Sequence, residues 1–135
     1  MTNAIGRMLP ALTPTTEFFW TSADGRLRML RCADCGFVTH PPGPVCRRCG
    51  STNLAPAEMS GRGVVYTFTV NQQPWSERLA EPYVIAIVEL DDQPGLRILS
   101  NIVDCDADAV SIGMPVEVTF APVEDVALPF FRPVG

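Results

Sequence analysis

The chain reads as a mainly β protein: a short N-terminal helix, a metal-binding ribbon, then a small five-stranded barrel. Three observations predict this. Thirteen prolines and ten glycines among 135 residues cut the chain into pieces too short for a helical bundle. Two Cys-x-x-Cys-Gly turns, Cys32–Gly36 and Cys46–Gly50, stand ten residues apart. From Gly61 onward apolar residues recur at every second position, the mark of half-buried strands.

The elements follow in order. Residues 1–12 form a loose arm. Thr13-Pro14-Thr15-Thr16-Glu17 is a helix start, with Thr13 as N-cap, Pro14 in the first helical position and an acid in the first turn. Phe18, Phe19 and Trp20 follow, and Gly25 is the stop. Residues 1–26 are therefore arm and helix, 27–60 the ribbon, and 61–135 the barrel with a C-terminal tail. Leu27–Arg31 is a strand leading into the cysteines. In Gly63–Val70, residues Val64, Tyr66, Phe68 and Val70 share one face, and Thr67 and Thr69 the other. Tyr83–Leu90 is apolar on both faces and belongs in the middle of a sheet. Leu96–Val103 pairs with it across the turn Asp91–Gly95. Val116, Val118 and Phe120 mark a further strand, and a last short one lies near Phe130–Pro133. Short strands of this kind, with one long loop at Asn71–Pro82, fit a closed barrel such as an OB-fold.

Charge is distributed unevenly. All ten basic residues are arginine. Residues 1–63 carry +3 and residues 64–135 carry −8, giving the net −5. A barrel at −8 is a poor match for phosphates, which disfavours nucleic-acid binding, since single-strand binders need a basic groove with stacking aromatics. No apolar run approaches the roughly 18 residues needed to cross a bilayer, and nothing at Met1–Leu12 has the form of a signal peptide. The chain reads as cytoplasmic.

The chemistry lies in Cys32, Cys35, Cys46 and Cys49. A Cys-x-x-Cys turn aims two sulfurs at one point while backbone N–H groups bond the thiolates. The glycine that follows lets the chain turn back with positive φ. Two such turns complete a tetrahedral sulfur shell, which makes one structural Zn²⁺ per chain the expected cofactor. A shell filled by protein leaves no place for substrate or water, so no catalysis is expected at the metal. The rivals are mononuclear iron, which matched Cys-x-x-Cys-Gly pairs also bind in rubredoxin-type electron carriers, and two disulfides, which a reducing compartment disfavours.

Other residues carry weaker signals. Cys105 is the one spare thiol and His40 the one histidine. The acids of Asp104-Cys105-Asp106 raise a thiol pKa and discourage a nucleophile. His40 precedes Pro41-Pro42 in the ribbon loop. Asp104, Asp106 and Asp108 lack the glycine and distal glutamate of a calcium loop and read as a solvated turn. No nucleophile, base and oxyanion set is visible, so the chain is not expected to be an enzyme by itself.

Taken in order, these residues resemble the family named domain of unknown function thirty-five, a rubredoxin-like zinc ribbon followed by an OB-fold. The matching pieces are Glu17-Phe18-Phe19-Trp20, Gly25-Arg26-Leu27, the two cysteine turns, Pro41-Pro42 and Ser60-Gly61-Arg62-Gly63 running into Val65–Thr69. Pro82-Tyr83-Val84, Val88-Glu89-Leu90, Ile112-Gly113-Met114 and Phe130-Phe131-Arg132-Pro133 complete the set, which spans nearly the whole chain.

The resemblance implies a non-catalytic partner of thiolase-fold enzymes acting on acyl-CoA thioesters. Some members resemble scaffolds joining thiolase to a synthase in archaeal isoprenoid biosynthesis. Others resemble subunits of lipid-transfer-protein-like aldolases that shorten steroid side chains in actinobacteria, at times fused to a hydratase. The all-arginine, alanine- and proline-rich composition tilts the reading to the second group, as a free-standing form or an excised domain. The candidate contacts for CoA phosphates, shared with the partner or supplied by it alone, are Arg26, Arg28, Arg31, Arg47 and Arg48. The candidate partner-facing anchors are Phe18, Phe19, Trp20, Trp75, Phe130 and Phe131, large rigid side chains of the kind that dominate interfaces.

Overall fold

The computed structural model describes residues 9–73 and 81–134. The regular helix α1 is one turn, Glu17–Trp20. The turn before it starts where the sequence places the cap: the Thr16 N–H donates to Thr13 Oγ1 at 3.3 Å, and the Glu17 N–H to the Thr13 carbonyl at 2.8 Å. The regular helix begins only at Glu17, so its formal N-cap is Thr16, which makes no side-chain cap bond. The ribbon is an antiparallel sheet of β1 (Arg28–Cys32), β2 (Val38–Thr39) and β3 (Leu54–Glu58), in the order β2-β1-β3.

Five strands close the barrel: β4 (Arg62–Asn71), β5 (Tyr83–Leu90), β6 (Arg97–Ile102), β7 (Pro115–Val123) and β8 (Val126–Pro133), in the order β4-β5-β6-β8-β7. Alternation along β5 turns Val84, Ala86, Val88 and Leu90 inward and leaves Tyr83, Ile85, Ile87 and Glu89 half-exposed. Gly63 meets a close-approach demand, because a Cβ there would stand 2.3 Å from the Glu89 carbonyl oxygen.

Two expectations need correction. Val64, Tyr66, Phe68 and Val70 do not share a face throughout β4. The pairing with β5 slips between Val65 and Thr67, so Tyr66 is an extra residue and alternation restarts beyond it. Gly63 and Val65 point inward before the bulge and Phe68 and Val70 after it, leaving Val64 and Tyr66 outside. The second correction concerns the C-terminus: the short last strand expected near Phe130–Pro133 is present but begins earlier, at Val126, and β8 pairs with β7 over its whole length, so these residues are barrel wall and not tail. Prolines 129 and 133 are tolerated because β8 meets β6 only at Ile102–Phe131, where the Val103 N–H donates to the Phe131 carbonyl at 2.8 Å. The buried Ser100 hydroxyl donates to the Pro129 carbonyl at 2.9 Å and bridges the same seam.

Ribbon and barrel share one core. Leu27, Met29, Val38 and Met59 lie in the same buried cluster as Val65, Val88, Ile98 and Phe131. The β5–β6 turn also locks the ribbon edge. The Gln93 amide accepts from the Val38 N–H and donates to the Val38 carbonyl, both at 3.0 Å, so one side chain serves as a strand neighbour for β2.

Candidate metal centre and the ribbon–barrel junction

Two backbone turns of the same design build the metal site. In the first, the Gly36 N–H donates to the Cys32 carbonyl at 2.8 Å and the Cys32 N–H to the Phe37 carbonyl at 2.9 Å. In the second, Gly50 bonds Cys46 at 2.9 Å and Cys46 bonds Ser51 at 2.8 Å in the same pattern. Both glycines have φ near +80°, at +81° and +78°, the left-handed conformation that lets each loop fold back. The sulfurs of Cys32 and Cys49 stand 3.6 Å apart, as do those of Cys35 and Cys46. All four lie within 4.8 Å of one another. A tetrahedron with metal–sulfur bonds of about 2.3 Å has edges of about 3.8 Å, so the donors already hold the spacing of one closed shell.

Electrostatics agree. Burial opposes ionisation of Cys46, but the Cys49 and Arg48 N–H groups and the Cys35 and Cys49 thiols outweigh it and bring its pKa down to about 6. At Cys49 the Ser51 N–H favours the thiolate, yet the sulfurs of Cys32 and Cys35 and burial drive the pKa up to about 12. Cys32 is lowered and Cys35 raised. Crowded sulfurs cannot all ionise alone, and a divalent cation is what would replace the remaining protons. Cys32 and Cys46 are buried while Cys35 and Cys49 are exposed, which puts the site at the ribbon tip, half-shielded from water.

The arginines named above are dispersed in their contacts. Arg26 makes a two-pronged bond to Glu58 at 2.9 and 3.1 Å, and Arg28 bonds Asp24 at 2.6 Å, which brings the Asp24 carboxyl down to about 2. Arg47 donates to the His40 carbonyl, and the Arg48 guanidinium lies over the Phe37 ring at 5.9 Å. Arg31 is exposed. Among the described residues Arg31, Arg47 and Arg48 make no ion pair.

The aromatic candidates divide. Phe130 and Phe131 are both fully buried and offer no surface: Phe131 joins the core shared by ribbon and barrel, while Phe130, on the opposite face of β8, is buried in a second cluster with Val103, Val126 and Leu128. Phe19 is buried as well, while Phe18 and Trp20 are half-buried against the same core. Trp75 lies outside the described residues. The Cys105 thiol is pushed up by burial and then by Asp106 and Asp104, the direction its acidic neighbours imply.

The sequence reading missed a cleft of about 530 Å³ where α1, the His40–Pro42 loop and the outer face of β5–β6 meet. Phe19, Trp20, His40, Pro41, Ile87 and Leu99 are among its lining. The His40 ring sits 5.0 Å from Phe19, and its Nδ1 is buried without a hydrogen-bond partner among the described residues. Burial, then the positive charge of Arg47, lowers the His40 pKa to about 4. The signal was in β5: apolar residues on both faces of a barrel strand mean that its outer face packs against something or stays exposed.

Four convergent cysteines on a three-stranded ribbon, joined to a closed five-stranded barrel, define a protein of the zinc-ribbon and OB-fold class. Residues 23–55 match the family description "ChsH2, rubredoxin-like zinc ribbon domain", and residues 57–121 match "ChsH2, C-terminal OB-fold domain". The chain belongs to the DUF35 family. It is 40% identical over 98 residues to a DUF35 domain-containing scaffold protein of Methanocaldococcus jannaschii, covering 71% of this chain and 68% of that one.

A probable enoyl-CoA hydratase alpha subunit of Thermomonospora curvata is 38% identical over 129 residues, which is 94% of this chain. A 3-oxo-4,17-pregnadiene-20-carboxyl-CoA hydratase alpha subunit of Mycobacterium tuberculosis is 36% identical over 127 residues, 93% of this chain. The chain spans 40% of the length of each of these two relatives. Among solved structures, a chain of the "Ltp2-ChsH2(DUF35) aldolase" superposes with a TM-score of 0.82 at 38% identity, covering 93% of this chain and 98% of that one. A DUF35 protein from Sulfolobus solfataricus, 16% identical with a TM-score of 0.61, shares the fold.

Proposed function

We propose that this chain is a non-catalytic accessory subunit of an acyl-CoA-processing complex, and that its partner is a lipid-transfer-protein-like enzyme of the thiolase fold. The observation that carries this reading is the near-complete match to the DUF35 chain of an aldolase complex. The name of the Mycobacterium tuberculosis relative favours a steroid-type acyl-CoA thioester as substrate, and the aldolase complex favours a carbon–carbon lyase as the partner's activity.

The chain's own residues support a supporting role. Cys32, Cys35, Cys46 and Cys49 would hold Zn²⁺ with every tetrahedral position filled by sulfur, and the ion would supply folding energy to a ribbon poor in apolar residues. The cytoplasm, where thiols stay reduced, suits this arrangement. The exposed acids of the barrel direct the chain toward a protein partner with basic patches rather than toward nucleic acid. Co-expression with a lipid-transfer-protein-like enzyme, followed by size exclusion and elemental analysis, tests the reading. It expects co-elution with one zinc per chain; separate elution, or a red iron-loaded chain, contradicts it.

A further inference from the structure

An OB-fold barrel satisfies its own interior, so apolar side chains on its outer wall call for a separate account. On this barrel the outer row Thr67–Ile87–Leu99 crosses β4, β5 and β6, as their pairing register shows. Leu99 is 67% exposed and Tyr66, thrown outward by the β4 bulge, is 46% exposed. The row runs directly into the cleft, whose wall includes Ile87 and Leu99 from the barrel and Trp20 and Pro41 from the opposite side. A concave slot therefore continues into a flat apolar face, a contiguous surface larger than scattered exposed residues would give.

The charges around this face select its occupant. Arg97, the one cation of this face among the described residues, is held by Glu89 at 3.0 Å and lies over the Tyr66 ring at 3.8 Å, so it is already neutralised and stacked. The face thus offers little to a phosphate. Glu17 beside the cleft and Asp91 at the β5–β6 turn are exposed and make no ion pair among the described residues. An apolar centre with acids at its ends complements a surface with an apolar protrusion and flanking Lys or Arg. A second copy of this chain, itself at −5, would bring acids against acids.

We infer that the cleft and the Tyr66–Leu99 face together form the docking surface for the partner enzyme, which contributes an apolar segment flanked by basic residues. This inference rests on the accessory-subunit reading above. Leu99 is the projecting contact, Trp20 and Pro41 form the far wall of the slot, and the acids at the ends accelerate encounter and set orientation.

The test is the affinity of the chain for the Ltp2 enzyme of the aldolase complex, measured by calorimetry with wild type, Leu99→Asp, Leu99→Ser and Asp108→Asn. Leu99→Asp is expected to weaken binding tenfold or more, Leu99→Ser in the same direction, and Asp108→Asn, in the short turn Ala107–Ala109, not at all. Circular dichroism should be unchanged for each variant, because Leu99 is exposed. Wild-type affinity should fall as salt is raised. If wild type binds and both Leu99 variants bind within twofold of it, the surface assignment is wrong while the accessory role stands. If wild type does not bind at all, the accessory reading fails and this inference with it. Self-association of wild type that Leu99→Asp abolishes would make a second copy the occupant and also overturn the proposal.

Discussion

Replacing Phe131 with alanine probes the architecture where the sequence reading and the structure part. Phe131 is fully buried, faces the core shared by ribbon and barrel, and sits at the single pairing point between β6 and β8. Truncating a buried phenylalanine costs about 3–5 kcal/mol through lost transfer energy and the cavity left behind. A domain of this size has roughly 5–15 kcal/mol in total. With a urea slope of about 2 kcal/mol per molar, the denaturation midpoint should fall by roughly 2 M. Because the same cluster holds Leu27 and Met29 of the ribbon, near-ultraviolet dichroism and metal retention in urea should be lost together. A variant with an unchanged midpoint would refute the burial of Phe131 in a closed barrel.

Three further outcomes follow from other parts of the structure. Gln93→Ala removes both bonds to Val38 and should cost about 1–3 kcal/mol, with faster hydrogen exchange at the Val38 amide, while Gln93→Glu should rescue only the accepting bond. His40 has a folded pKa of about 4 against an ordinary 6.5. The unfolded chain therefore takes up the proton first, and stability should be fully present above pH 6.5 and drain away as pH falls toward 4. His40→Phe should flatten the urea midpoint over that window, and a wild-type midpoint that rises on acidification would contradict the assignment. Cys46→Ser should lower metal content well below one ion per chain and destabilise the ribbon by several kcal/mol, whereas Cys105→Ser should leave metal content unchanged, as read by elemental analysis.

The legibility of this protein in its sequence was uneven for physical reasons. The metal site was readable because Cys32, Cys35, Cys46, Cys49 and the glycines after them obey local rules: spacing and positive φ suffice. The strands from Arg62 to Ile102 were readable from alternation, but the bulge at Tyr66 was not, since an inserted residue leaves an apolar pattern that still alternates locally. Strand β8 was obscured by Pro129 and Pro133, which argue against a strand unless one edge is known to be nearly unpaired. Side-chain chemistry alone marks the arginine and aromatic candidates, and it does not reveal their neighbours in the fold. Glu58 and Asp24 bond Arg26 and Arg28, and the core takes Phe19, Phe130 and Phe131. The junction cleft exists only once ribbon and barrel are packed together, so no single segment announces it.

On the proposed function, this chain serves a catalytic partner without turning over substrate itself. The most direct test is the retro-aldol turnover of a lipid-transfer-protein-like enzyme titrated with the zinc-loaded chain. Saturable activation that ends at a fixed stoichiometry is expected, with no turnover by the chain alone. An enzyme equally active without the chain, or a chain that cleaves the thioester substrate unaided, would contradict it.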